Sequence, residues 1–140
     1  MRVVFDTVVL VRCLLDPYSW SGKLLFDESD TYEWVVSPEI VAEYLEVIRR
    51  PRLVDKYAAV KNRDLHAILA RIATATLVHP TDIPAVCRDP GDDKFLAAAV
   101  AGNVKYFITE DRDLLVVGSY EGIAILSAQA FLEVLDQEPS

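Results

Sequence analysis

The chain of 140 residues carries little that could staple, coordinate soft metals or cradle phosphate. Its two cysteines, Cys13 and Cys87, are too few for a disulfide framework and lack metal-ligand spacing, which points to a reducing compartment. Two histidines, His66 and His79, have no metal-spaced partner, and the five glycines form no phosphate-binding loop. Neither a nucleophile elbow nor a zinc pattern occurs. No apolar run approaches the roughly 20 residues that cross a bilayer. The opening Met1-Arg2-Val3-Val4-Phe5-Asp6 reaches a carboxylate too soon for a secretory leader. A cytoplasmic protein with no membrane partner is expected. Basic residues are also scarce, 14 Lys and Arg against 22 Asp and Glu for a net charge of −8, so no global positive field draws in nucleic acid.

What is present is apolar substance: 52% hydrophobic against 26% charged residues, enough for one real core and too much for a disordered chain. Short β-branched runs alternate with helical patterns. Val3–Phe5, Glu33–Val36, Tyr106–Thr109 and Ile123–Leu126 read as strands buried on both faces, and Leu77-Val78 as a weaker one. Helices are expected over Val8–Leu15, Gly22–Phe26, Pro38 to about Arg50, Asp64–Ala75, Asp92–Ala101 and from Ser127 through Leu135. Ser37-Pro38 is a strong start, an N-cap hydroxyl followed by proline at the first helical position, and Pro51 is placed to stop that helix. The alternation predicts a single three-layer α/β/α domain over residues 1–136 with a central parallel sheet, followed by a frayed tail over 137–140.

In a parallel sheet, chemistry gathers at the carboxyl ends of the strands. Asp6 follows the first strand there, and Asp111 and Asp113 follow the strand ending at Thr109. Asp92 and Asp93 open a helix whose first turn belongs on the same edge. Glu43 falls about 60° from Ile40 on the helical wheel, at the border of the apolar stripe Ile40, Val41, Tyr44, Leu45, Val47 and Ile48, whereas Glu39 and Glu46 turn toward solvent. Each acid taken singly has a plainer role as a helix cap, turn former or solvated charge. Gathered on one rim they repel one another unless a cation binds, and hard carboxylate oxygens suit Mg²⁺ or Mn²⁺.

Four segments in series carry a resemblance: Val3-Val4-Phe5-Asp6-Thr7, Ser37-Pro38-Glu39-Ile40-Val41-Ala42-Glu43-Tyr44, Arg88-Asp89-Pro90-Gly91-Asp92-Asp93-Lys94-Phe95-Leu96-Ala97, and Thr109-Glu110-Asp111-Arg112-Asp113-Leu114-Leu115. Together they resemble the PIN-domain family, and within it the prokaryotic VapC-type toxins of toxin–antitoxin systems. The resemblance implies a PIN-like fold and a ribonuclease dependent on Mg²⁺ or Mn²⁺. It implies catalytic acids at Asp6, Glu43, Asp93 and Asp111, and metal ligands among Asp6, Asp93, Asp111 and Asp113. Thr7 is in support, and Asp92 is adjacent enough to be the third acid instead. It further implies an RNA substrate, an antitoxin partner and a homodimer or higher homo-oligomer. Backbone contacts to RNA would come from Arg49, Arg50, Arg52, Arg88, Lys94 and Arg112, although helix C-terminal charge compensation explains Arg49, Arg50 and Arg52 equally well. The sequence departs from the family at Val8, where Asn is usual. An alternative is therefore a catalytically impaired PIN scaffold that binds a protein partner. A haloacid-dehalogenase-type phosphatase is set aside, because that chemistry needs an Asp where Val8 stands.

Overall fold

The computed structural model describes residues 1–50, 62–83, 85, 87 and 89–137. Six strands form one sheet: β1 (Arg2–Phe5), β2 (Glu33–Val36), β3 (Thr76–Leu77), β4 (Tyr106–Ile108), β5 (Ser119–Tyr120) and β6 (Ile123–Leu126), in the order β3-β2-β1-β4-β6-β5. All pairings are parallel except β5 with β6, so the expected parallel sheet is closed on one edge by an antiparallel hairpin strand. The helices are α1 (Thr7–Leu15), α2 (Trp20–Gly22), α3 (Pro38–Ile48), α4 (Asn62–Thr74), α5 (Asp93–Ala101), α6 (Arg112–Val117) and α7 (Ala128–Gln137). A π-helical turn, Lys23–Asp27, continues α2.

Most expected elements lie within two residues of their anticipated ends, and the differences have local causes. Helix α3 ends at Ile48, capped by Arg49, rather than at Arg50; Pro51 lies outside the described residues. Its buried stripe is narrower than expected: Ile40, Tyr44 and Ile48 are buried, while Val41, Leu45 and Val47 are half-covered. The expected helix at Asp92 starts one residue later, after a 3-10 turn over Pro90–Asp92 that Asp89 caps by accepting from the Gly91 N–H (2.9 Å). Gln137, assigned to the frayed tail, closes α7, and residues 138–140 lie outside the described residues. Helix α6 and strand β5 had no counterpart among the expected elements.

Side-chain alternation along the strands divides the core between the two faces of the sheet. Phe107 of β4 stacks on Phe95 of α5 at 5.6 Å. Its neighbour Tyr106 points the other way, to Phe131 of α7 at 5.2 Å. Phe5 joins that second face through edge contacts with Tyr32 (5.4 Å) and Trp34 (5.3 Å). Fully buried Tyr44 donates its hydroxyl to the Phe5 carbonyl, tying α3 to the end of β1. Cys13 is buried core, its thiol on the Leu10 carbonyl, and both cysteines are free.

The order of the strands decides where a site can form. From β1 the chain builds outward through β2 and β3, then returns to add β4 and β6 on β1's other side. The crevice at such a switch point lies beyond the carboxyl ends of β1 and β4, which the register Phe5↔Ile108 brings level.

Candidate active site

Asp6 leaves β1 and precedes the first turn of α1, with its backbone N–H on the Ile108 carbonyl (2.9 Å). Its carboxylate is buried, and Oδ2 accepts the Thr109 hydroxyl at 2.7 Å. Thr109 is itself fully buried, and its Oγ1 also accepts the Asp111 N–H at 3.1 Å. One hydroxyl thereby joins acids at the ends of two neighbouring strands. Asp111 in turn caps α6, its Oδ1 accepting from the Asp113 N–H (2.9 Å). Thr109 was not among the residues singled out from the sequence; its signal is position, a hydroxyl closing a buried strand two residues before an acid.

Glu43 stands half-buried on α3, as its place at the border of the stripe implied. Both of its oxygens are engaged: Oε2 accepts the Thr7 hydroxyl, and Oε1 pairs with Lys94 Nζ at 2.6 Å. Thr7 therefore supports Glu43.

The adjacent acids of the α5 segment part company. Asp92, in the 3-10 turn, is half-exposed and lines a cleft of about 390 Å³ together with Asp89, Pro90, Asp111, Asp113 and Leu114. Asp93, at the first position of α5, is buried and accepts the Cys87 N–H on Oδ1 at 2.7 Å. Asp89, quoted from the sequence only within the Arg88–Ala97 segment and given no role there, belongs to the cleft wall. Asp113 is on its exposed rim.

Electrostatics follow from this crowding. Burial raises the Asp6 pKa, and Glu43 adds to the rise, against the Thr109 hydrogen bond and the Thr7 and Val8 backbone N–H groups. Asp92 is pushed up to about 7, first by burial and then by the charges of Asp6, Asp89, Asp111 and Glu43. The Cys87 thiol is driven up to about 12 by burial, its bond to Asp93 and the neighbouring acids, so it is a poor nucleophile at neutral pH.

Among the described residues, no three His, Cys, Asp or Glu side chains converge to ligating distance. The donor set nevertheless fits a hard divalent cation, since it consists of carboxylate oxygens, and at Asp92 the neighbouring acids add to the rise that burial causes.

The basic candidates divide as well. Lys94 is committed to Glu43. Arg50 pairs with the Glu46 carboxylate, and Arg49 donates to the Leu45 carbonyl near the end of α3. Arg112 is exposed at the start of α6. Arg52 and Arg88 lie outside the described residues. Val8 is 45% exposed beside Asp6.

A family model described as PIN domain matches residues 2–113. The uncharacterized protein MJ1680 of Methanocaldococcus jannaschii is 32% identical over 118 residues, spanning 82% of this chain and 74% of that protein. Among solved structures, PAE2754 from Pyrobaculum aerophilum is similar with a TM-score of 0.59 at 16% identity, over 99% of this chain and 91% of that one. VapBC2 from Rickettsia felis, solved bound to a DNA fragment from their promoter, gives a TM-score of 0.53 at 12% identity, over 89% of this chain and 97% of that one. At such identities the two solved structures speak to the fold.

Proposed function

We propose, from the premise that this chain belongs to the PIN domain family, that it is a metal-dependent endoribonuclease and the toxin of a toxin–antitoxin pair. One observation carries the enzymatic part: Asp6 and Asp111 follow neighbouring strands at the switch point, where the Thr109 hydroxyl donates to the Asp6 carboxylate and accepts the Asp111 backbone N–H, and Asp111 lines a cleft with Asp92. The toxin–antitoxin part, with an antitoxin partner, leans on the likeness to VapBC2; a cytoplasmic location and a homo-oligomeric state go with that reading as expectations of the family resemblance.

Asp6, Asp111 and one of Asp92 and Asp93 would hold Mg²⁺ or Mn²⁺, with Asp113 on the rim. When bound, the ion lowers the pKa of a water and offsets charge on the phosphate under attack. The lining of the cleft favours Asp92, because the Asp93 carboxylate is turned to the Cys87 backbone. Thr109 keeps the Asp6 carboxylate in one orientation, and Thr7 and Lys94 do the same for Glu43. Arg112, exposed beside Asp111, would meet the RNA backbone at the rim.

The test is Mn²⁺- and Mg²⁺-dependent cleavage of a structured RNA pool by the purified chain and its Asp6→Asn, Asp111→Asn, Asp92→Asn and Asp93→Asn variants. Residues that merely support a metal ligand cost about 10–100-fold when removed, so loss of a ligand should exceed about 100-fold. Asp6→Asn and Asp111→Asn should reach that loss, and of the last two variants Asp92→Asn should lose more. Full activity in Asp6→Asn would refute the nuclease reading. Folded protein that neither cuts RNA nor binds Mn²⁺ would support a scaffold instead, with exposed Val8 the first residue to replace by Asn.

A further inference from the structure

We propose that the Lys94 ammonium is the resident cation at the Glu43 end of the site, so that the acids take up a single divalent ion and Glu43 stays outside its coordination. The inference rests on the ribonuclease reading above and concerns how many ions that site holds.

The Lys94–Glu43 pair is close and sheltered, with Nζ 2.6 Å from Oε1 and side-chain exposures of 23% and 27%. The other oxygen, Oε2, accepts the Thr7 hydroxyl, so neither oxygen of Glu43 lacks a donor. The open cleft, in contrast, is walled by Asp89, Asp92, Asp111 and Asp113; Asp6 and Glu43 are both outside that wall, but Asp6 is tied to the Asp111 backbone through Thr109, whereas Glu43 is tied to Lys94. Helix α5 explains the division. Its entry turn presents Asp92 to the cleft, and two residues later Lys94 reaches across to α3. The Lys94 Nζ also stands 5.9 Å from the ring centroid of buried Phe95.

An incoming ion at Glu43 meets the charge of an ammonium already bound there, on a carboxylate each of whose oxygens already accepts a donor. At the Asp92–Asp111 wall it meets carboxylates whose like charges favour its arrival. A protein-borne ammonium supplies one positive charge permanently, without exchange and in a fixed place. In this arrangement Lys94 is a positioning residue. It holds Glu43 as an acceptor for Thr7, next to Asp6 in the chain.

The test is calorimetric titration of the full chain with Mn²⁺ alone, with folding of every variant checked by circular dichroism. The wild type should bind one ion per chain. Glu43→Gln should still bind one, its Kd raised by no more than about tenfold, the lower bound for a supporting residue. Lys94→Met should admit a second, weaker ion at the freed Glu43. Lys94→Arg, which keeps the cation, and the double variant Lys94→Met/Glu43→Gln should both return to one. Two ions on the wild type, loss of the ion in Glu43→Gln, or one ion in Lys94→Met would each overturn the inference. If the wild type binds one ion that Asp6→Asn abolishes while Lys94→Met stays at one, this inference fails alone. If the wild type binds none, the ribonuclease reading fails with it.

Discussion

Removing the Thr109 hydroxyl while keeping its shape tests whether one side chain organises the site. Thr109→Val is nearly isosteric in a fully buried position, so the change is chiefly the loss of two hydrogen bonds. The bond to the Asp6 carboxylate, at 2.7 Å, is of the charged kind, worth about 1.5–3 kcal/mol; the Asp111 N–H bond, at 3.1 Å, is worth about 0.5–1.5 kcal/mol. Thr109→Val should therefore cost about 2–4 kcal/mol, within the 5–15 kcal/mol typical of a domain, and leave the fold intact. Thr109→Ser keeps the hydroxyl and gives up one buried methyl, about 1 kcal/mol. Urea unfolding of metal-free protein at pH 7 reads the difference. With a slope of about 2 kcal/mol per molar, Thr109→Val should unfold about 1–2 M earlier than wild type at unchanged slope. The Val variant should also raise the Asp6 pKa further, because the Thr109 bond is the foremost of the contacts that lower it. A Val variant as stable as the Ser variant would refute the idea that this hydroxyl holds the two acids together.

Two other expectations come from the same geometry. Asp92 has a folded-state pKa raised from 3.8 to about 7, so in metal-free protein the folded state holds a proton that the unfolded chain releases earlier. Stability should thus decline as pH rises from about 4 to about 7, and Asp92→Asn should flatten that decline, a pattern read by thermal melts across pH and contradicted by parallel curves. Gly22→Ala should destabilise the chain by about 3 kcal/mol or prevent its folding, because a Cβ there would lie 2.1 Å from the Pro17 carbonyl oxygen; expression with an unchanged melting point would show that the Pro17–Gly22 turn yields.

The alternation of strands and helices was legible because each element's signal is local. Buried β-branched runs marked β1, β2, β4 and β6, and Ser37-Pro38 marked the start of α3, whose cap is the Ser37 hydroxyl accepting from the Ile40 N–H at 3.2 Å. Helix α6 escaped notice for the opposite reason. It has six residues, of which only Leu114 is buried while Val116 is 86% exposed, so no apolar face shows in its sequence. Strand β5 is two residues long and exists through its pairing with β6.

The sequence by itself determined which carboxylates reach the carboxyl edge of the sheet, because a residue that follows a buried strand has no other place to go. Asp6 and Asp111 were legible in that way. Tertiary structure alone decided what those acids touch. Thr109 meets Asp6 across 103 positions only because β1 lies beside β4 in the register Phe5↔Ile108. Whether Asp92 or Asp93 faces the cleft depends on the 3-10 turn that precedes α5, since neighbouring side chains at a helix start point about 100° apart. Lys94 could be paired with Glu43 only once α3 and α5 were in place, 51 residues apart in the chain and 2.6 Å apart at their charges.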